Sequence, residues 1–150
     1  MKALLQRVTK GSVTIDGQTV GSINTGLVVL LGVRHGDTPA DSATLAAKTL
    51  KLRIFPDDRD RMHHSVTDID GSILVISQFT LYADTRKGLR PGFNDAAEPT
   101  LATECYEAYI RALRTEIGAE RVQTGQFGAD MSVEIINDGP VTIELTTDAI

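Results

Sequence analysis

The chain has 150 residues, 41% of them hydrophobic and 23% charged. That is the composition of a globular domain able to bury about 68–70% of its unfolded surface, and it excludes a disordered, collagen-like or disulfide-scaffold protein. A net charge of −5, from 15 Lys plus Arg against 20 Asp plus Glu, with 5% aromatic residues and no Trp, argues against a protein that wraps duplex nucleic acid or stacks long single strands.

The predicted elements describe one domain, residues 1–150, with no linker, repeat or low-complexity tract. Lys2 to Thr9, Ser12 to Ile15 and Thr19 to Ile23 read as short strands. Gly11, Asp16-Gly17 and Asn24-Thr25-Gly26 punctuate them, Asp-Gly being a strong hairpin signal. Leu27 to Val33 is apolar on both faces, as in a buried central strand, and too short to span a bilayer. Thr38, Pro39 and Asp41 open a helix, with Ala43, Ala46, Ala47 and Leu50 on its apolar face. Leu52 to Phe55 reads as a short strand stopped by Pro56, and Asp57 to Asp70 as a loop. Ser72 to Leu81 is a second buried strand, followed by a long irregular loop from Asp84 to Ala97, a length that is often functional. A second helix starts near Pro99, with Leu101, Cys105, Ala108, Tyr109, Ala112, Leu113 and Ile117 as its stripe and Gly118 as its C-cap. Two last strands, Ser132 to Ile136 and Val141 to Thr146, flank Asn137-Asp138-Gly139-Pro140. The order predicts an α+β fold: a mixed, barrel-like sheet with two main helices.

Several chemistries find no support. There is no GxSxG elbow and no GxxxxGK[ST] loop. Gly125-Gln126-Phe127-Gly128 matches a GxxG nucleic-acid clamp over only four residues. Asp68-Ile69-Asp70-Gly71 opens like a calcium loop, but its twelfth position is Phe79 rather than Glu. His63-His64 beside Asp57, Asp58 and Asp60 lacks HxxxH spacing, so a solvated loop is expected there and not a metal site. Cys105 falls in the helical stripe as a core residue, and a single cysteine with no signal pattern at the N-terminus fits a reducing cytoplasm. His35 reads as a surface turn residue.

Two segments remain. The strand from Ser72 ends with Ser77, Gln78 and Thr80 among apolar residues, and period two places Gln78 and Thr80 on one face. Buried polar groups need partners, so these either face a ligand or mark where the strand reaches the surface. Gly139-Pro140 interrupts strand-like sequence, which marks an edge or a hairpin turn.

Together SQFTLYADT at 77–85 and NDGPVT at 137–142 closely resemble the D-aminoacyl-tRNA deacylase family. The resemblance covers nearly the whole chain, through LLQRVTKGSVTIDG, GLVVLLGV, RIFPD, RKGLRPGF and TGQFGADMSVEIINDGP. It implies a cytoplasmic homodimer, with no cofactor or metal, that hydrolyses the ester joining a D-amino acid or glycine to the 3′ end of tRNA, a chirality-proofreading step in translation. Gly139 and Pro140 match the family's Gly-cisPro motif, which enters the partner subunit's active site and blocks L side chains. Arg7 matches the arginine that holds this motif, and Phe127, Ala129 and Met131 match positions near the pocket. Ser77, Gln78, Phe79 and Thr80 match the SQFT motif lining the adenosine and ester site. Backbone N–H groups of Phe79 and Thr80, or the Gln78 amide, would stabilise the developing oxyanion. Thr80 has no evident histidine to activate it, so positioning is expected of it before nucleophilic attack, and the substrate's own 2′-hydroxyl is expected to assist water. Lys10, Arg86, Lys87 and Arg90 would meet acceptor-end phosphates. His63 stands where the family commonly has Asn, and Gly92 where it commonly has Ser. The competing reading is a binding module that holds aminoacyl-tRNA ends or amino-acid-like ligands without turnover.

Overall fold

In the computed structural model, which describes Met1–Ile150, strand β1 runs unbroken over Lys2–Ile15, where two shorter strands are expected. Gly11 does not break it: a Cβ there would sit 2.6 Å from Val28 Cγ2, so this glycine serves close packing rather than a turn. The two-residue turn Asp16-Gly17 has positive φ at both positions, 49° and 77°, as its type requires. β2 (Gln18–Ile23) and β3 (Gly26–Gly32) then return antiparallel along β1, pairing its C-terminal and N-terminal parts respectively. β8 (Ser132–Thr146) lies antiparallel along the opposite edge of β1.

β3 continues the sheet through two parallel neighbours, β6 (Ser72–Ser77) and β7 (Val122–Thr124). Parallel neighbours need crossovers, and these are α1 (Pro39–Lys51) and α2 (Pro99–Ile117). Crossovers are right-handed almost without exception. The path β3 to β6 to β7 steps along the sheet in one direction, so both helices land on the same face. At the far side the sheet curls until β2 approaches β7: a Cβ on Gly21 would lie 2.8 Å from the Thr124 carbonyl oxygen. The result is the expected α+β fold with a mixed, nearly closed sheet and two helices.

Alternation along β3 and β6 explains why both read as apolar throughout. Leu27, Val29, Leu31, Ile73 and Val75 face the helices in a core of 24 buried residues. Val28, Leu74 and Ile76 face the barrel interior with Val8, Val13 and Ile23.

Thr38 caps α1 in a capping box with Asp41, whose carboxylate accepts from the Thr38 N–H at 2.8 Å. The buried face of α1 is Ser42, Leu45, Ala46, Thr49 and Leu50, while Ala43 and Ala47 are exposed. The helix is rotated from the expected alanine stripe because Leu45 gains more by burial than an alanine does. The two hydroxyls are satisfied inside: Ser42 Oγ donates to Cys105 O at 2.9 Å, and Thr49 Oγ1 lies 2.8 Å from Tyr109 Oη. In α2 the buried side is Ala102, Cys105, Tyr106, Tyr109, Ile110, Leu113 and Ile117, with Leu101, Ala108 and Ala112 only half-buried. Gly118 caps its C-terminus, donating to Arg114 O. Neither helix is long and apolar enough to cross a membrane.

Four further expectations change. Pro56 does not stop a strand. It belongs to β4 (Phe55–Pro56), which pairs with β5 (Met62–His64) inside the expected loop. The strand from Ser72 ends at Ser77, not Leu81, because residues Phe79–Tyr82 coil into a 3₁₀ turn. β7 has no counterpart among the sequence-predicted strands. The last two strands are one, with residues 138–141 looping out of its ladder between Asn137 and Thr142 rather than a hairpin forming at Asn137 to Pro140.

Candidate active site

The site begins where the sheet ends. Gln78 has φ −144° and ψ 77°, breaking the extended run, so the period-two pairing of Gln78 with Thr80 on one strand face does not hold. The two side chains meet anyway, through the turn: Gln78 Nε2 donates to Thr80 Oγ1. The Gln78 N–H is tied to Leu31 O at 2.7 Å, which fixes the turn to the end of β3. Gly32 permits this approach, since a Cβ there would lie 3.1 Å from Leu81 Cβ and 3.2 Å from Gln78 O. The first N–H groups of a 3₁₀ turn, here those of Phe79 and Thr80, find no partner within the turn. An amide cannot take a proton from Thr80, so the hydroxyl has a donor beside it and not a base.

A cavity of about 320 Å³ lies against this turn. Ser77, Gln78, Phe79, Phe127, Ala129 and Met131 line it, so six of the sequence-predicted residues converge there. Leu31, Val33, Ala102, Tyr106, Asp130 and Val133 complete much of the wall and are absent from the sequence-predicted set. Tyr106 had a readable signal, its i±4 spacing between Ala102 and Ile110. Most of the lining follows the C-terminal ends of the parallel strands β3, β6 and β7.

Tyr106 Oη donates to Val75 O at 3.2 Å and its ring packs against Phe127, centroids 5.7 Å apart. Burial pushes its phenol up to about 12, so it stays protonated. Phe79 is 56% exposed beside the mouth and meets Phe93 edge to face, centroids 5.0 Å apart. Phe93 closes the loop whose base is the Asp84–Gly92 pair, with N–H···O bonds of 2.7 and 2.8 Å in both directions. A Cβ on Gly92 would meet only Asp84 O within 4 Å, at 3.9 Å, so the family's Ser fits. Arg86 pairs with Asp84, holding that carboxyl down at about 2, and Lys87 and Arg90 stand exposed on the same loop.

Thr80, exposed on the turn, is outside this lining. Arg7, Gly139 and Pro140 do not line the cavity either. They form a second constellation. β1 and β8 pair at Val8↔Asn137 and next at Gln6↔Thr142, so residues 138–141 loop out opposite Arg7 alone. The Gly139–Pro140 peptide is cis, and both residues are exposed. Arg7 is buried beneath them. Its Nη1 donates to Ile54 O at 2.6 Å, and its Nε forms an ion pair with Asp138 Oδ2 at 3.0 Å without the alignment of a hydrogen bond. Gly139 has φ 116°, and a Cβ on it would lie 2.9 Å from Val141 Cγ2 and 3.0 Å from Arg7 Nη2; only glycine fits.

The histidines lie elsewhere. The Arg53 guanidinium sits 2.7 Å from His63 Nδ1. Cys105 is buried, and burial pushes its thiol up.

A family model described as D-Tyr-tRNA(Tyr) deacylase matches residues 4–146. The D-aminoacyl-tRNA deacylase of Opitutus terrae is 52% identical over 149 residues, covering 99% of each chain. That of Roseiflexus castenholzii is 53% identical over 145 residues, covering 97% of this chain and 91% of its own. Among solved structures, one titled c-Myc DNA Unwinding Element Binding Protein superposes with a TM-score of 0.92 at 41% identity, covering 97% of this chain and 98% of the other. A probable eukaryotic D-amino acid tRNA deacylase, at TM-score 0.83 and 16% identity over 96% and 97% of the two chains, shares the fold.

Proposed function

The chain belongs to the D-Tyr-tRNA(Tyr) deacylase family, a hydrolase that removes D-amino acids from tRNA, and from that membership we propose how its residues divide the work. The observation that carries the reading is the convergence of Ser77, Gln78 and Phe79 with Phe127, Ala129 and Met131 on one cavity.

The aminoacylated 3′-adenosine enters at the mouth. The exposed Phe79 and Phe93 rings offer a face for the adenine, an interaction worth about 1–3 kcal/mol per base. The ester carbonyl lies against the Phe79 and Thr80 N–H groups and the Gln78 amide. Water attacks the carbonyl carbon, assisted by the ribose 2′-hydroxyl. The C–O bond to the 3′ oxygen then breaks, that oxygen keeps the electron pair and takes a proton, and the free amino acid leaves. Thr80 positions and is not the nucleophile. One oxyanion donor is worth about 2.7–4 kcal/mol in comparable reactions, enough for an already labile ester when added to placement.

Chiral selection comes from a second copy of the chain. The Gly139–Pro140 turn of one protomer enters the other's cavity as a backbone wall that rejects L side chains by clash, while D-amino acids and glycine pass. Two features support this. The turn is exposed yet outside its own cavity, and β8 has no partner on its outer edge, where Ile136 is 47% exposed. A site of action in the cytoplasm follows from the substrate.

The test is ester loss from D- and L-tyrosyl-tRNA. Hydrolysis of the D form alone supports the reading, and equal slow loss of both, as in buffer, makes the protein a binding module. For the shared site, Gln78→Ala and Gly139→Ala are inactive or unselective alone, and their 1:1 mixture regains about a quarter of wild-type selective activity through mixed dimers. No recovery on mixing places cavity and wall in one chain.

A further inference from the structure

We infer that Asn137 is the positioning residue of the Gly139–Pro140 turn: its side-chain amide closes the neck of the 138–141 loop and thereby sets the selectivity for D over L substrates. This rests on the reading of that turn given above.

A β-bulge usually sets two residues against one. Here β8 sets four, residues 138–141, against Arg7. So large an excess loses the ladder bonds that would hold the two ends of the loop at strand spacing. The backbone groups left over at the neck include the carbonyls of Arg7 and Val141. Asn137 Nδ2 donates to both, at 2.9 Å and 3.1 Å. A primary amide has two hydrogens, and here one reaches across to β1 while the other spans the base of the loop to its far end. Thr142 Oγ1 lies 3.4 Å from Asn137 Oδ1 and itself accepts from Gln6 Nε2 at 3.2 Å, which turns the amide so that its nitrogen faces the two carbonyls.

Arg7 completes the grip from inside. The same residue whose carbonyl Asn137 holds sends its guanidinium to Asp138 and to the space below Gly139. The loop is therefore held at its neck by Asn137 and at its first two residues by Arg7, and both holds meet on Arg7. No similar side chain substitutes. Asp at 137 has the same outline but sets a carboxylate against two carbonyls, and Ala leaves both carbonyls bare. A loop free to swing at its neck no longer presents a fixed wall, so L substrates gain access while D substrates lose placement.

The experiment measures initial rates on D- and L-tyrosyl-tRNA for wild type, Asn137→Asp, Asn137→Ala, Gly139→Ala and Thr49→Val, each at a temperature where circular dichroism shows it folded. Both Asn137 variants are expected to lower the D-to-L rate ratio by about ten- to a hundredfold, the range seen when a small misplacement disturbs a reacting geometry. Thr49→Val weakens the distant helix pair and keeps the wild-type ratio, which separates positioning from general loss of stability. An unchanged ratio in the Asn137 variants, with a shift in Gly139→Ala, overturns this inference and leaves the wall reading standing. An unchanged ratio in all three loop variants removes the wall reading itself. A shift in the Asn137 variants without one in Gly139→Ala also overturns the inference, since the amide then acts by another route. Should the Asn137 variants not fold, Thr142→Val, which removes the hydroxyl beside Oδ1, must lower the ratio in the same direction.

Discussion

Tyr106→Phe separates a pocket held by packing from one that uses a phenol as an acid. The hydroxyl donates to Val75 O at 3.2 Å, with the Thr124 side chain near enough to act on it as well. That carbonyl also accepts from Gly125 N at 3.2 Å, so removing the phenol oxygen leaves no orphaned acceptor. The cost is then only the net value of one hydrogen bond, about 0.5–1.5 kcal/mol, and not the 1–3 kcal/mol of an unsatisfied buried group. For a chain of this size that lowers the melting temperature by about 1–6 °C. The ring, its contact with Phe127 and the shape of the cavity persist. Single-turnover hydrolysis of D-tyrosyl-tRNA is therefore expected to stay within about threefold of wild type, whereas loss of a general acid costs about 10²–10⁴-fold. A fall of a hundredfold or more, with the fold intact by circular dichroism, refutes the assignment of Tyr106 to the wall of the site and makes it a proton donor.

Thr49→Val removes the only partner of the fully buried Tyr109 hydroxyl and should cost about 1–3 kcal/mol in urea unfolding with an unchanged m-value; an unchanged midpoint would contradict it. Burial raises the phenol pKa of Tyr106, to about 12, and also those of Tyr82 and Tyr109. Each folded-state value lies above the unfolded one, so the stability they contribute is complete below about pH 10. It is lost as pH rises from there through about 12, and a urea midpoint that does not fall between pH 9 and pH 11 would count against this. Neutralising Arg86, Lys87 and Arg90 together should weaken tRNA binding and reduce the salt slope by about 2, each single-strand phosphate contact contributing about 0.7. An unchanged slope removes that loop from the tRNA path. Gly32→Ala, which drives a methyl toward Leu81 and Gln78, should reduce kcat more than Thr80→Val does, because it moves the whole turn. The reverse order, read from the same single-turnover assay, would restore Thr80 as a reacting group.

Much of this was legible from residue patterns. Apolar runs at Leu27 to Val33 and Ser72 to Ile76 announced strands buried on both faces, and Thr38, Pro39 and Asp41 announced the start of α1. What stayed hidden depended on distance in the chain. Gly11 reads as punctuation unless Val28 is known to press on it from β3. The alanines of α1 read as its core face until Tyr109 and Cys105 arrive to satisfy Thr49 and Ser42. The change from strand to 3₁₀ turn at Gln78 is set by Leu31 O, 47 residues earlier. Asn137 to Pro140 looks like a hairpin because the segment carries every local signal of one, and only the ladder with β1 shows that the strand resumes in the same direction. Phe93 and Asp130 carried no pattern of their own, since their place at or near the cavity comes from where their loops fold back.

These long-range contacts also explain how a site with so little acid–base equipment can work. Its polar groups Ser77 and Gln78 are carried at the end of β6, which pairs with both β3 and β7 and, like β3, is apolar on both faces, and the turn bearing Gln78 is bonded directly to β3. Drift of that turn away from the sheet therefore breaks the bond from the Gln78 N–H to Leu31 O. A hydroxyl such as Thr80, free on a mobile loop, would need a base to be useful. In the proposed mechanism, held by Gln78 on a turn tied to β3, it has only to keep the ester against the Phe79 and Thr80 N–H groups. In the proposed mechanism the chemistry is left to water and to the substrate's own hydroxyl, so substitutions that displace the turn should outweigh those that only remove a functional group from it.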